Sequence, residues 1–597
     1  MKLPPPLSVH IVLAAAVLAL GAGRCGAAVD PVVLEAEQNR VAVIERISAP
    51  TVAIFDPQGS GGGSGVLIRE NGLAVTNFHV VSGLGPFMKC GLNDGNIYDA
   101  VLIGIDPTGD VALIQLLGRD DFPAARIGDS DALRVGNWVY VVGNPFLLAT
   151  DFTPTVTYGI VSGVHRYQYP AGTLLEYTDC IQVDASINPG NSGGPLFNAD
   201  GELVGINGRA SFEKRGRVNI GAGYAISINQ VQHFLDHLHS GRIVDHATLG
   251  ATVQSRTDGS VVVDSILEQS EAYRRGLRSG DEIVSFAGRT IRSVNQFKNI
   301  LGIYPQGWKR PMVYRRDGEK HEIMVRLRTL HSRSELMPEP NPMIPEPRPG
   351  DRPDDPDNPR PDEESPDEHP LPGLPFPKGH PLSRLFQKPE LPAEHAHLYE
   401  EREGFANYHF NKVHRDRVWA GIAMLGEFPS GPWKLTGNTA AGEAFELQMN
   451  DTAIALTQSG RPFFQRVVDP FTADPPGTGG LLAALHHLRL MLIAPEERFT
   501  EFYYLGSEPL DGDGELVDVL IATRGSTTSR WFFRKADAEL LGFDTEIESD
   551  VDACEIRINE WRDFDSRRFP ARFTVRLAGE EVAIYEIQQL QIGQPGE

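Results

Sequence analysis

The sequence predicts a multidomain, mainly β protein, and three observations lead to this expectation. The chain has 597 residues, which is too long for a single hydrophobic core and favours two to four domains. From residue 51 to about 230, short apolar runs alternate with Gly, Asn and Asp, a pattern typical of all-β barrels or sandwiches. From about 335 to 394, Pro recurs roughly every third residue among acidic residues, which predicts an extended linker between folded parts.

The first 28 residues have the three parts of a secretory signal peptide. Lys2 precedes an apolar run that ends at Leu20, and small residues follow as far as Ala28. The run is short for a transmembrane span, so cleavage is favoured over the alternative of an uncleaved anchor. We therefore expect residues 1–28 to direct export across the inner membrane, to the periplasm or cell envelope.

Composition and charge narrow the classes of function. Hydrophobic residues make up 41% and charged residues 22%, as in ordinary globular proteins. The formal charge is −24, and cleavage after Ala28 would remove Lys2 and Arg24, giving −24 − 2 = −26. Such acidity argues against nucleic-acid binding and favours solubility. Three cysteines would remain, which permits at most one intramolecular disulfide and leaves its pairing open: Cys90, Cys180 and Cys554.

Local patterns in the first 230 residues predict one helix followed by strands. An apolar stripe of helical period indicates a helix from about 30 to 50. Glu70-Asn71-Gly72 lies between two apolar runs and predicts a hairpin. The Gly-rich run 59–65 is followed by no Lys-Ser/Thr pair, so it predicts a flexible lead into a strand rather than a phosphate loop. Representative strands are expected at residues 65–68, 73–76, 138–142 and 202–206.

Three separate motifs carry residues of nucleophilic catalysis. His79 lies in Thr-Asn-Phe-His-Val-Val, at the end of a predicted strand. Asp110 lies in Asp-Pro-Thr-Gly-Asp-Val-Ala-Leu-Ile, directly before an apolar run. Ser192 lies in Asn-Pro-Gly-Asn-Ser-Gly-Gly-Pro-Leu. Alone, the histidine could be a core residue and the serine part of a surface turn, but the three motifs together indicate one catalytic site.

The chemistry of these residue types agrees with that interpretation. A serine hydroxyl is a weak nucleophile and needs an adjacent base, which a histidine oriented by a carboxylate supplies. Glycines around the serine let backbone N–H groups face a developing oxyanion. The order His, Asp, Ser along the chain is that of the chymotrypsin-type double β-barrel, and not of subtilisin or the α/β-hydrolases.

Together the three motifs resemble the HtrA/Deg serine proteases, over about residues 50–330. The resemblance implies that His79 is the general base and acid, Asp110 its orienting carboxylate and Ser192 the nucleophile. It implies an oxyanion hole formed by the N–H groups of Gly190 and Ser192, with Asn191 between them. It also implies a homotrimer. No cofactor is expected, and no metal either, because the sequence shows no metal-ligand spacing.

The triad acid has a competitor in Asp106. Asp110 is favoured because it directly precedes the apolar run 111–116, where the family places this residue, whereas Asp106 precedes Pro and is typical of a turn. By the same resemblance, Asp184 is expected to be structural.

Further segments similar to the family predict specificity and regulation. The wall of the S1 pocket would be formed by Ile220, Gly221, Ala222 and Gly223. No acid lies among them, so we expect small or medium aliphatic residues at P1 rather than Arg or Lys. Residues 151–169 would form a mobile activation loop.

Residues 245–332 resemble a PDZ domain, most clearly in the stretch 273–284. PDZ domains bind an extended peptide C-terminus as an added strand, with backbone N–H groups holding the carboxylate. The alternative is a PDZ domain used only for packing. The matching carboxylate loop would consist of Thr248, Leu249, Gly250 and Ala251.

The expected organisation is therefore a signal peptide (1–28), a trypsin-like serine protease domain (29–240), a PDZ domain (245–332), a disordered linker (333–396) and a C-terminal β-rich α+β domain (397–597). At about 3 Å per residue, the linker could separate its flanks by more than roughly 100 Å. In the last domain, strands around a helix at 480–493 predict a curved sheet or half-barrel, which weakly resembles the LolA-like lipoprotein carriers. His486 and His487 are helix neighbours and should face different directions, which argues against a shared ion.

Three functions remain open from the sequence. The first is an exported endopeptidase that acts on misfolded or signalling proteins and recognises unfolded or C-terminal peptide segments. The second is a non-enzymatic envelope binding protein or chaperone on a protease scaffold, which the complete triad argues against. The third is a lipoprotein-handling protein whose C-terminal domain binds a lipidated or apolar ligand; a filled concavity would oppose it.

Overall fold

The structure is a computed structural model that describes residues 29–56, 62–144, 151–168, 174–212, 219–336, 392–467, 475, 477–548 and 550–593. The predicted signal peptide, residues 59–61 of the Gly-rich run and residues 337–391 of the predicted linker lie outside these ranges. The chain divides into two compact units, residues 1–46 and 47–597. Helix α1 (Pro31–Ser48) confirms the helix expected near the start. Within the described ranges, no helix is both long and apolar enough to cross a bilayer.

Six strands begin the second unit: β1 (Thr51–Phe55), β2 (Gly62–Leu67), β3 (Leu73–Thr76), β4 (Phe87–Gly91), β5 (Ile97–Asp106) and β6 (Val111–Leu116). They close into an antiparallel barrel in the order β1-β2-β3-β6-β5-β4. Gly72 has a φ of +90°, which a Gly tolerates without strain, and the predicted hairpin joins β2 to β3. Helix α2 (Phe78–Val81) follows β3 and carries His79.

A second antiparallel barrel confirms the predicted double-barrel fold. Its order is that of strands 10-11-12-9-8-7 in the chain. The strands are β7 (Trp138–Gly143), β8 (Thr155–Gln168), β9 (Tyr177–Val183), β10 (Pro195–Asn198), β11 (Leu203–Phe212) and β12 (Asn219–Ser227). The expectation of a loop over 151–169 was wrong for most of its length, because residues 155–160 pair with β7 and residues 161–168 pair, with register shifts, with β9.

Helix α3 (Ile228–His239) leads out of the second barrel and buries an apolar stripe at Ile228, Val231, Phe234 and Leu238. A PDZ-like α/β segment follows, with strands in the order β14-β15-β16-β18-β19 and β17 paired to β16. Its elements, with the short pair β13 and β20 at its base, are β13 (Ala247–Thr248), β14 (Ala251–Ser255), β15 (Val261–Ile266), α4 (Glu271–Arg274), β16 (Glu282–Phe286), β17 (Arg289–Thr290), α5 (Val294–Gly302), β18 (Lys309–Arg316), β19 (Glu319–Arg326), β20 (Arg328–Thr329) and α6 (Arg333–Leu336).

In the described residues from 392 onward, the C-terminal part is one open sheet of 11 antiparallel strands with three α-helices. The helices are α7 (Tyr408–Ala423), α8 (Leu481–Ile493) and α9 (Pro495–Arg498). The strands are β21 (Trp433–Thr439), β22 (Ala444–Met449), β23 (Ala453–Gln458), β24 (Arg461–Arg466), β25 (Glu501–Pro509), β26 (Leu516–Arg524), β27 (Thr527–Arg534), β28 (Leu540–Glu546), β29 (Cys554–Phe564), β30 (Arg567–Leu577) and β31 (Glu580–Ile592). Their order is β24-β23-β22-β21-β31-β30-β29-β28-β27-β26-β25.

Helix α8 fills the core of this open sheet. Every residue of α8 except Ile493 is buried, and the helix packs against β23, β27, β28 and β29. His487 bonds the Ser529 hydroxyl at 2.7 Å, and burial lowers the pKa of His487 to about 3, so its imidazole is neutral. Arg489 is fully buried and donates to Asp451 at 2.6 Å. Burial of a single Leu side chain stabilises by about 1.5–3 kcal/mol, so a helix this apolar is held firmly in place.

The C-terminal sheet docks directly on the first barrel and on α3. The fully buried amide of Asn411 donates to the carbonyls of Ser240 and Tyr504, both at 2.8 Å, and accepts from the Tyr504 N–H at 3.1 Å. Asn407 donates to the Leu102 carbonyl at 2.9 Å. The two bonds with Tyr504 satisfy backbone groups of the edge strand β25, which α3 and α7 cover. The domain therefore sits against the barrels in this structure, although a linker of this length would permit a much larger separation.

Ion pairs join the C-terminal sheet to the PDZ-like segment. Arg326 lies 3.1 Å from Glu508 and 2.5 Å from Asp544, and Lys309 lies 2.6 Å from Glu555. These groups are largely buried, and removal of one partner from such a pair typically costs about 3–5 kcal/mol. The main effect of the network is therefore to fix the relative position of the PDZ-like segment and the C-terminal sheet. Its net contribution to the free energy of unfolding is smaller.

All three described cysteines are free thiols in buried positions: Cys90, Cys180 and Cys554. Burial raises the pKa of the Cys90 and Cys180 thiols, so both stay protonated.

Candidate active site

His79 and Asp110 meet at the inner end of the first barrel. His79 Nδ1 lies 2.8 Å from Asp110 Oδ2 and 3.0 Å from Oδ1. The backbone N–H of His79 also donates to Oδ1, at 3.0 Å. Asn77, the residue before α2, donates to the Asp110 carbonyl at 2.9 Å and so holds the backbone on which the carboxylate is mounted.

The Asp110 carboxylate is buried and accepts several hydrogen bonds from protein groups. Its φ of +58° is in the left-handed region, which costs a non-Gly residue of order 1–3 kcal/mol. Tyr177 donates its hydroxyl to Asp110 Oδ2. The pKa of His79 is raised above its usual value, because the charge of Asp110 and its hydrogen bond outweigh the lowering effect of burial. A raised pKa makes His79 a stronger base.

Ser192 follows a turn that the sequence dictates. Pro189 and Gly190 occupy its centre, Gly190 has a φ of +102°, and the Asn191 N–H donates to the Asn188 carbonyl at 2.9 Å. This is the pattern of a type II turn, in which Pro presets the first central residue and Gly supplies the positive φ of the second. Within the described ranges, no hydrogen bond uses the N–H of Gly190 or Ser192, so both can serve an incoming oxyanion.

Ser64 on β2 fastens the Ser192 loop to the first barrel. Its N–H donates to the Ser192 carbonyl at 2.9 Å, and its hydroxyl donates to the Gly190 carbonyl at 2.6 Å. The same hydroxyl accepts from the Asn144 N–H at 2.9 Å. A side chain on neighbouring Gly63 would lie 2.9 Å from the Ser192 carbonyl, so this close approach requires Gly.

The Ser192 hydroxyl donates to the Gly208 carbonyl at 3.2 Å in this structure. The proton is therefore directed away from His79, and a rotation of the Ser192 side chain would redirect it. Catalytic hydrogen bonds are often poorly aligned in enzymes without substrate. The Asn191 amide beside it is fully buried, and no described residue bonds to its side-chain atoms.

Asp106 is a buried structural residue, in agreement with its interpretation as a turn residue. Oδ1 accepts from the N–H groups of Thr108 at 3.1 Å and Gly109 at 2.8 Å, and Oδ2 lies 2.8 Å from His246 Nε2. His246 comes from the segment between α3 and β13. This segment, which leads into the PDZ-like part, therefore supports the turn that carries Asp110. Asp184 is likewise structural, since it accepts from the Ile160 N–H at 2.7 Å.

The predicted S1 segment lies on β12, beside the Ser192 loop. Gly223 pairs with Val183 and Ala210, and a side chain there would lie 2.7 Å from the Ile187 side chain. Ile220 and Gly221 belong to this strand, but the structure describes only their backbone. The assignment of this wall stays a prediction.

The predicted carboxylate loop lies between β13 and β14. Gly250 has a φ of +72°, its N–H donates to the Thr248 hydroxyl at 3.2 Å, and its carbonyl accepts from Leu267 at 2.9 Å. Strand β14 begins at Ala251 and forms the edge of its sheet, and α5 lies alongside. This is the arrangement to which a peptide strand can be added.

One described cluster has the residue types of a metal site. Ligand atoms of Asp131, His165 and Asp179 lie within 4.8 Å of one another. Arg289 is in the same cluster, 2.7 Å from Asp131 and 3.8 Å from Asp179. The guanidinium already counters the carboxylate charge, so the cluster works as an ion-pair contact between the second barrel and the PDZ-like sheet.

Three supporting residues were missed by sequence reasoning: Ser64, Tyr177 and His246. Ser64 lies in the Gly-rich run that was interpreted as a flexible lead, and residues 62–67 form β2 instead. Its partner carbonyl on Gly190 is 126 residues away, so no local pattern marks it. The Gly residues that flank Ser64 were the available signal, because closely approaching backbones need Gly.

The first half of the chain is similar to known serine proteases. Residues 63–206 match the family model of the trypsin-like peptidase domain. The chain is 38% identical over 282 residues to the probable periplasmic serine endoprotease DegP-like of Marinomonas sp. (strain MWYL1), a match that covers 45% of this chain and 57% of that protein. It is 37% identical over 278 residues to the periplasmic serine endoprotease DegP of Escherichia coli (strain K12), covering 44% and 56%.

Among solved structures, the HtrA-type protease AlgW with tripeptide matches at 30% identity with a TM-score of 0.41, covering 49% of this chain and 98% of that one. The chain spans little more than half the length of the curated relatives it matches. The double barrel with its His-Asp-Ser site is a trypsin-like serine peptidase domain. More narrowly, this part of the chain is similar to serine endoproteases of the DegP type.

The Asp106–His246 pair predicts a pH-dependent stability. The pKa of His246 is raised, because the charge and hydrogen bond of Asp106 outweigh burial. A raised folded-state pKa contributes stability that is fully present below the unfolded value of about 6.5 and is lost as pH rises through the folded value. We expect His246→Gln to destabilise by about 3–5 kcal/mol at pH 5.5 and by clearly less at pH 9. Unfolding midpoints at both pH values measure this.

The matched control is His321→Gln, which replaces a histidine that stacks on Tyr314 in the PDZ-like sheet. A loss of stability at His246 that is the same at both pH values would contradict the assignment of a charged pair.

Proposed function

We propose that the protein is an exported serine endopeptidase that hydrolyses misfolded or signalling proteins. The observation that supports this most strongly is that the His79–Asp110 pair and the loop that carries Ser192 adjoin at one seam, where a side chain on Gly63 would contact both Val80 and the Ser192 carbonyl. His79 and Asp110 come from the first barrel at 2.8 Å, and the Ser192 loop from the second barrel is fastened beside them by Ser64. Proteins named as periplasmic serine endoproteases share this half of the chain, which supports a location in the periplasm or cell envelope.

In the proposed reaction, Ser192 Oγ attacks the scissile carbonyl while His79 Nε2 takes its proton. The N–H groups of Gly190 and Ser192 stabilise the oxyanion, and removal of one such donor typically costs about 10²–10³ in kcat. His79 then protonates the leaving amine, and water hydrolyses the acyl-enzyme by the same steps. Asp110 keeps the imidazole in the required tautomer, with its proton on Nδ1.

The S1 pocket is proposed to accept small or medium aliphatic side chains. Ala222 and Gly223 carry no charge, and Ile187 packs close to Gly223. An Arg or Lys at P1 would then bury its charge without a carboxylate to pair with it, which is costly.

The PDZ-like segment is proposed to bind peptide C-termini between β14 and α5. Ala251 and Val253 on β14 and Val294 and Leu301 on α5 are half-buried apolar side chains packed on one core. They would line the groove, and the loop 248–251 would face the terminal carboxylate. Assembly as a homo-oligomer, a trimer by resemblance, belongs to the same proposal.

The C-terminal domain is proposed to be a docked module rather than a lipid carrier. The lipoprotein-handling alternative needs an open apolar concavity, but α8 occupies the core of the open sheet with its leucines buried against Trp433 and Phe543. Its contacts with α3 and the PDZ-like segment favour a role in positioning the protease. The non-enzymatic chaperone alternative has no such observation in its favour, since the triad residues are all present.

Casein hydrolysis tests the proposed activity. We expect wild type to degrade casein and Ser192→Ala to lose at least about 10³-fold in rate, because the nucleophile is gone. Mass spectrometry of the products should give mostly aliphatic P1 residues. Equal inactivity of both proteins across temperatures and peptide activators would rule out the enzyme, and a P1 profile dominated by Arg and Lys would rule out the pocket assignment.

Binding of synthetic peptides tests the carboxylate loop. A charged hydrogen-bonding partner is worth about 1.5–3 kcal/mol, so peptides with a free C-terminal acid should bind roughly tenfold or more tightly than C-amidated ones. Fluorescence anisotropy with Ser192→Ala as the receptor avoids cleavage. Equal affinity for both forms would leave the PDZ-like segment as a packing module.

A further inference from the structure

Tyr177 contacts the triad carboxylate from the second barrel. It is the first residue of β9, it is 3% exposed, and its hydroxyl donates to Asp110 Oδ2. Its neighbour Glu176 donates its backbone N–H to the Thr108 carbonyl at 2.9 Å. The start of β9 is therefore fixed to the turn that carries Asp110. This backbone contact places the Tyr177 side chain next to the carboxylate.

Gly208 provides the space for this contact. A side chain on Gly208 would lie 2.7 Å from Tyr177 Cε1 and 2.9 Å from the hydroxyl oxygen, both too close for real atoms. The Gly208 carbonyl is also the acceptor of the Ser192 hydroxyl. Gly208 thus leaves room for the Tyr177 ring, and its carbonyl accepts the hydrogen bond of Ser192.

The two oxygens of Asp110 divide their partners in a defined way. Oδ1 accepts from the His79 N–H at 3.0 Å and lies 3.0 Å from His79 Nδ1, whereas Oδ2 lies closer to Nδ1, at 2.8 Å, and accepts from Tyr177. Without the tyrosine hydroxyl, Oδ2 would keep only its imidazole partner in a site that excludes water. A buried carboxylate that loses a donor binds its remaining partners more strongly.

We propose that Tyr177 is a positioning residue that sets the orientation of the Asp110 carboxylate and, through it, the basicity of His79. This inference rests on the proposed function and assigns a further residue to the same site. The hydroxyl shares the negative charge of Asp110, so His79 is less basic than Asp110 alone would make it. It also holds the carboxylate in the plane from which both oxygens reach His79.

A purely structural role predicts a different outcome. The Tyr177 ring fills space in the second barrel, and Phe fills the same space. Tyr177→Phe therefore removes only the hydroxyl, and packing is retained. If the ring alone mattered, neither the titration of His79 nor the rate would respond to this substitution.

The test compares wild type with Tyr177→Phe in the full chain, with Tyr98→Phe as matched control. Tyr98 also donates to an aspartate, Asp94 at 2.8 Å, but at an exposed position of the first barrel. NMR of protein with labelled histidine, assigned with His79→Ala, gives the titration midpoint of His79. Quenched casein gives kcat and KM between pH 5 and 9.

We expect Tyr177→Phe to raise the His79 midpoint and the acid limb of the rate profile together. We also expect kcat to fall roughly tenfold or more, as for loss of a hydrogen bond to a charged group, with KM within about twofold of wild type. Tyr98→Phe should match wild type in all three readouts.

An unchanged His79 midpoint in Tyr177→Phe would overturn the inference, whatever happens to the rate. The NMR readout does not need turnover, so it separates this inference from the proposed function. A wild type that hydrolyses nothing, with a midpoint that still rises in Tyr177→Phe, would sink the proposed activity and leave the positioning role supported.

Discussion

The proposed catalytic arrangement depends on one short contact between the two barrels. Ser64 bonds the carbonyls on both sides of Asn191, those of Gly190 and Ser192, while its own carbonyl accepts from Thr76 at 2.7 Å. Thr76 ends the strand that leads into α2 and His79. The nucleophile loop and the base are therefore held by the same two strands, β2 and β3. Buried hydrogen bonds of this kind contribute modestly when made, but each costs about 1–3 kcal/mol when one partner is left alone.

The remaining parts of the chain are built onto this seam. Strand β9 carries Tyr177 toward Asp110. Two residues later, the buried Asp179 donates its N–H to Asn299 of α5 at 3.1 Å. Helix α3 connects the second barrel to the PDZ-like segment, and β25 of the C-terminal sheet packs against it. Directly packed elements thus link α5, Asp110 and the C-terminal domain. The C-terminal domain therefore packs as one body with the two barrels.

The sequence predicted those features that are encoded locally. The hairpin at Gly72 and the turn at Pro189-Gly190 each follow from two adjacent residues, and the order of His79, Asp110 and Ser192 indicated the double barrel. Features that depend on distant partners were missed. The Asn411 amide binds Ser240 and Tyr504, which are 171 and 93 residues away, so a docked C-terminal domain had no local signal. The expected loop at 151–169 was wrong because pairing with β7 and β9 overrides its many polar residues.

The central claim is that Ser192 is a nucleophile activated by His79 and Asp110. Labelling with a fluorophosphonate, followed by peptide mass spectrometry, tests it most directly, because this reagent reacts with activated serines whatever the natural substrate. The account predicts one adduct per chain on Ser192, with labelling strongly reduced in His79→Ala and Asp110→Asn but retained in Asp106→Asn if that variant folds. Labelling of Ser192 that is equally fast without His79, or an adduct on another serine alone, would contradict the account.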